Sequence, residues 1–146
     1  MATDKKLEEK VRKKLSEGWI KSSMIIEALG VTKDAVKTAM EMHVRKIGEE
    51  RGIIVSKQKF HEIRKVDKPF GNIPKAYSII VDLEVLTEKY DHLVYIAMNY
   101  GPTSIEILEP EHIKIDMGEA QGILNSVSDL VHRFAAQGIG GIVVRT

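Results

Sequence analysis

The sequence predicts an α+β fold with a ferredoxin-like core, and three observations predict it. First, the period of the apolar residues switches near residues 100–109. Before Gly101-Pro102 they recur at helical intervals; after it, Ile105 and Ile107 alternate with Glu106 at strand spacing. Second, residues 22–116 read in the order strand, helix, strand, strand, helix, strand. Third, the first and third strands are the most apolar, as strands central to a sheet should be. Together these give a βαββαβ core: four antiparallel strands in the order 4-1-3-2, both helices on one face, extra helices at either end.

Each element has its own justification. Residues 1–21 form an N-terminal arm, with a helix over 4–17 whose stripe is Leu7, Val11 and Leu15. Asp4 or Thr3 caps it and Gly18 ends it. Residues 23–29 are short, apolar and closed by Gly30, so they read as a strand. Thr32 caps a helix to about Glu50, with Val36, Ala39, Met40, His43, Val44 and Ile47 on one stripe. Gly52 closes it.

Residues 53–66 read as one strand, turning polar along its length. Pro69, Gly71, Asn72 and Pro74 mark a turn. Residues 76–86 are the clearest strand. Tyr77, Ile79, Val81, Leu83 and Val85 share one face, and Ser78, Asp82 and Glu84 the other. Ile79, Val81 and Leu83 are expected beneath the two helices. Thr87 is expected to cap the next helix, with Tyr90, Leu93, Val94, Ala97 and Tyr100 inward.

A strand over 104–109 follows, and Ile113 and Ile115 alternate again after Pro110. A last helix covers 117–136, with Ala120, Leu124, Val127, Val131 and Phe134 expected buried. Gly138-Ile139-Gly140-Gly141 ends it, and Ile142-Val143-Val144 is a candidate terminal strand. No repeat or long linker appears, so residues 1–146 read as one domain: arm, core over 22–116, and C-terminal helix with tail.

Composition limits the chemistry. There is no cysteine, which removes disulfides, thiol nucleophiles and thiolate metal sites. No apolar run reaches membrane-spanning length, and residues 1–17 lack the apolar centre of a signal peptide, so a cytoplasmic protein is expected. The net charge of +1 conceals an asymmetry. Residues 1–75 hold 18 Lys/Arg against 11 Asp/Glu, a balance of +7; residues 76–146 hold 4 against 10, a balance of −6. Such a split points to a partner for one end or to association of opposite ends.

Residues 24–116 resemble a family of small, functionally uncharacterised archaeal proteins. The most specific part is Pro102-Thr103-Ser104-Ile105-Glu106-Ile107-Leu108-Glu109-Pro110, where the family pattern reads Pro-Ser-Ser-(Ile/Val)-Glu-Ile-Ile-Glu-Pro. Thr103 departs from it. The resemblance implies the ferredoxin-like core and no activity.

Three constellations compete for function. Residues 25–40 resemble a helix-turn-helix, with Gly30 in the turn and Lys33 and Lys37 toward phosphates or bases. Ile26 is too bulky where two helices would approach, so strand, turn and capped helix is preferred. Lys57, Lys59, Arg64 and Lys65, interleaved with Phe60 and His61, fit single-stranded nucleic acid, but Lys also blocks unwanted pairing on an edge strand. Glu106, Glu109, Glu111 and Asp116 gather carboxylates near the last strand, where a solvated edge accounts for them.

No His pair has metal-ligand spacing, and no phosphate loop, nucleophile elbow or triad order is present. The chain therefore reads as a non-enzymatic regulatory or scaffolding module without cofactor or metal. It is expected to form a homo-oligomer and to bind a small ligand or protein through Tyr100, Thr103, Ser104, Glu106, Glu109 and Glu111. Nucleic-acid binding through Lys33, Lys37, Lys57, Lys59, Arg64 and Lys65 is the alternative.

Overall fold

One long strand organises the sheet. In the computed structural model, which describes residues 2–70 and 73–137, β4 (Ile73–Thr87) pairs with three others. These are β1 (Ile20–Gly30), β2 (Ile53–Phe60) and β3 (Arg64–Phe70). β5 (Ser104–Glu109) pairs with the other side of β1. All pairings are antiparallel; the order is β2-β4-β1-β5, with β3 continuing beside β4. The helices of this part are α1 (Ala2–Ser16), α2 (Lys33–Glu49) and α3 (Tyr90–Tyr100).

The period-2 pattern of β4 decides what lies beneath it. Ile79, Val81, Leu83 and Val85 are all buried, as expected, and meet Ile20, Met24 and Ile26 of β1. Val36, Met40, Val44 and Ile47 of α2 and Leu93 and Ile96 of α3 close the same cluster. Both helices thus pack on one face. Each such side chain contributes about 1.5–3 kcal/mol by leaving water. α2 starts where Thr32 Oγ1 accepts from the Ala35 N–H at 3.0 Å.

Several boundaries differ from the sequence reading. β1 begins at Ile20, before the expected 23, because Ser22 faces the core and is fully buried. Residues 25–30 are therefore strand, the element directly before α2 is β1 rather than a helix, and the helix-turn-helix arrangement is absent. The expected strand over 53–66 is two, broken at residues 61–63, although the His61 N–H still donates to the Ile80 carbonyl at 2.8 Å. Thr87 does not cap α3. It is the last residue of β4, fully buried and paired with both Ile20 and Ile53. Lys89 holds the cap position, its N–H donating to His92 Nδ1. On α3 Ile96 is buried and Ala97 exposed; on α2 Ala39 is exposed. Ile113 and Ile115 form no strand.

Contacts divide the chain into two compact units, Met1–Ile113 and Lys114–Thr146. The described element of the second is α4 (Met117–Ala136), capped by Asp116 Oδ1, which accepts from the Glu119 N–H at 2.8 Å. Its expected buried stripe is exposed: Leu124 at 64%, and Val127, Val131 and Phe134 at 43% each. Among the described residues of its own unit, no other helix or strand stands beside it to cover that stripe. The glycine stop at 138–141 and the candidate strand at 142–144 lie outside the described residues.

Candidate functional site

The sheet face away from α2 and α3 carries charge in columns, because each strand sends alternate residues there. The pairing register builds the rows. Lys57 of β2 lies beside Glu84 of β4, Ser23 of β1 and Glu106 of β5. Lys59 lies beside Asp82, Ile25 and Ser104. At one end Lys21 of β1 neighbours Glu109 of β5.

Glu84 is the centre of this network. It sits on an inner strand with its side chain only 15% exposed, so its charge needs partners. Lys21 Nζ lies 3.6 Å from Glu84 and 3.6 Å from Glu109, Lys57 Nζ lies 3.9 Å from Glu84, and Ser56 Oγ donates to Glu84 Oε2 at 2.7 Å. Ser56 is near because a bulge between Val55 and Lys57 re-aims β2. A cleft of about 560 Å³ lies over the network, walled by Leu7, Val11 and Leu15 of α1. The thin apolar stripe of α1 therefore faces this cleft. Further along, His61 Nε2 and Asp82 Oδ2 are 2.8 Å apart.

The expected residues fall on the two ends of the sheet. Ser104, Glu106 and Glu109 lie on the outer strand β5 and are exposed; Thr103 leads into it, its N–H donating to the Ile25 carbonyl at 2.7 Å. Glu111 is exposed just beyond. Lys57, Lys59, Arg64 and Lys65 are exposed on the opposite edge, β2 and β3. Lys33 and Lys37 are exposed on α2, and Lys33 Nζ sits 5.8 Å from the Tyr77 ring centre. Tyr77 is the register partner of Lys65 on β3. A groove of about 610 Å³ follows β2, between it and α2, lined by Val44, Arg45, Gly48, Val55, Gln58 and Phe60 among others.

Tyr100 belongs elsewhere than the acidic edge. Its hydroxyl donates to Glu50 Oε1 at 2.8 Å, while its carbonyl lies 2.8 Å from His43 Nε2. Burial, reinforced by the Glu50 carboxylate, pushes the phenol up to about 12. Tyr100 is therefore a hydrogen-bond donor near neutrality, not a base. A folded-state value above the ordinary 10.0 means the contribution to stability is complete below about pH 10 and lost as pH rises through about 12. In denaturant melts across pH 9–12, Tyr100→Phe is expected to flatten part of the alkaline loss; unchanged slopes would contradict the linkage.

Sequence reasoning missed Lys21, Ser56 and Glu84 as one cluster. The available signal was two carboxylates, Asp82 and Glu84, in an inner strand. Among the described residues no group of three or more His, Asp or Glu is placed to hold a metal ion, and no helix is long and apolar enough to cross a membrane. Compared with known proteins, residues 21–146 match the model of the MJ0538 family, a span that begins after α1. No curated protein matches.

Proposed function

We propose that this chain, which belongs to the MJ0538 family, is a non-enzymatic regulatory or scaffolding module that self-associates and binds a small ligand or protein partner. One observation carries this reading: the outer strands of a single sheet bear opposite charge. Lys57, Lys59, Arg64 and Lys65 stand on one edge, Glu106 and Glu109 on the other, with Glu111 following. Edges of unlike sign attract between copies, while edges of like sign repel. We read β2 and β3 as one interrupted strand, which makes the order the ferredoxin-like 4-1-3-2. We also take the family to be the archaeal one that residues 102–110 resemble. Thr103, Ser104, Glu106, Glu109 and Glu111 are the proposed ligand or partner contacts, and the cytoplasm the proposed setting.

The alternative is nucleic-acid binding through Lys33, Lys37, Lys57, Lys59, Arg64 and Lys65. Asp82 and Glu84 on the neighbouring inner strand oppose a phosphate backbone crossing the sheet, and no aromatic platform occupies the central strands. Light scattering across a salt series, with and without short single-stranded RNA or duplex DNA, separates the two. The expected result is a mass above the monomer that falls with salt, as screening within about 8–10 Å weakens exposed charge pairs. That mass should ignore nucleic acid. A monomer binding nucleic acid with a steep salt slope overturns the proposal.

A further inference from the structure

We infer that the outer edge of β2, with the groove between it and α2, accepts β5 of a second copy as an added antiparallel strand. This rests on the self-association reading and names its surfaces.

Strand direction permits it. Along the row β2, β4, β1, β5 every neighbour is antiparallel, so the two outer strands run in opposite directions. Laying β5 of one copy against β2 of the next, with the sheet faces kept in common, is therefore antiparallel too. Such docking satisfies main-chain groups that an edge leaves unpaired, and side-chain alternation gives it specificity.

The alternation matches on both faces. In β5, Ile105 and Ile107 align with Met24 and Ser22, so they lie on the helix-covered face; Ser104 and Glu106 lie on the open face. In β2, Val55, Gln58 and Phe60 align with Val85, Leu83 and Val81 on the helix-covered face, and Lys57 and Lys59 lie on the open one. Joining the edges sets Ile105 and Ile107 toward the groove walls Val44, Val55 and Phe60. Two of these residues are too exposed for their type, Ile107 at 41% and Phe60 at 38%. On the other face Glu106 meets the Lys57 and Lys59 column.

The competing arrangement is a twofold pairing of β5 with β5. It brings the acidic strand of one copy, with Glu106 and Glu109, against the same acidic strand of the other, and like charges across strands are unfavourable. Charge therefore selects the head-to-tail contact, which closes into a ring or runs on according to the rotation between copies.

Lys59→Glu and Glu106→Lys test this, since both positions are exposed and neither makes an ion pair among the described residues. Circular dichroism melts confirm that each variant folds; Lys59→Gln and Glu106→Gln, which remove charge without reversing it, are expected to act in the same direction more weakly. By sedimentation velocity over a concentration series, each reversal is expected to weaken association roughly tenfold. An equimolar mixture of the two reversals should recover mass, because each then offers the other an edge of opposite sign. A monomeric wild type overturns self-association itself. A wild type that associates while Lys59→Glu associates equally well overturns only the β5-to-β2 contact, as does a mixture no heavier than its components.

Discussion

Replacing Ile47 by alanine is expected to destabilise the protein by about 2–5 kcal/mol. Ile47 is on the last turns of α2 and is 0% exposed, within the cluster shared by α2, α3, β1 and β4. Truncation removes three carbons from a packed interior and leaves a cavity. The neighbours sit on a sheet and two helices that cannot collapse freely into it. Met42→Ala, on the same helix but 48% exposed, serves as control and should change stability by no more than about 0.5 kcal/mol. Urea melts of both measure it. Equal small effects would mean that the helix-covered face is not packed as described.

Gly52→Ala is the second large expected effect, about 2–4 kcal/mol. Gly52 links α2 to β2 with φ of +79°, a region costly for residues bearing Cβ. A methyl there would also fall 2.5 Å from His92 Nε2. His92 is committed: its Nδ1 accepts from the Lys89 N–H at the start of α3. The substitution therefore strains one helix exit and disturbs another helix entry. Gly18 separates the two causes. Its φ is +95°, yet a Cβ added there meets nothing within 4 Å. Gly18→Ala should show the backbone cost alone, about 1–2 kcal/mol. Adding His92→Ala to Gly52→Ala should recover the steric part. If Gly52→Ala and Gly18→Ala cost the same in denaturant melts, the clash with His92 is not real.

What was legible in the sequence was local. The alternation of β4 and the 3.6-residue stripe of α2 each depend on a single segment's own pattern, and the buried sets Ile79, Val81, Leu83 and Val36, Met40, Val44, Ile47 follow from them. The start of β1 was hidden because Ser22, a polar residue, points into the core; its hydroxyl, like that of Thr87, is buried without a hydrogen-bond partner among the described residues. Thr87 misled for the same reason, since a threonine before a helix usually caps it. Pairing on both sides held it in the sheet instead. The Lys21, Ser56, Glu84 and Glu109 network was not legible, because it is assembled by the register of four strands and one bulge. The opposed edges were half legible: the charge split is in the composition, but which strands are outermost depends on the fold.

β4 has a further consequence, which concerns cooperativity. Its pairing with β1 ends where Tyr77 meets Gly30. From Ala76 back toward Ile73 its partner among the described residues is β3, through Val66, Asp67 and Phe70. A two-stranded ribbon without a third strand is marginal by itself. Val81 and Val85 have strands on both sides and helices above. One continuous strand therefore runs from a two-stranded ribbon into the packed sheet. The ribbon can open and reclose while the valines stay packed, so the free energy that protects the chain against local unfolding falls along β4 from its centre to its beginning.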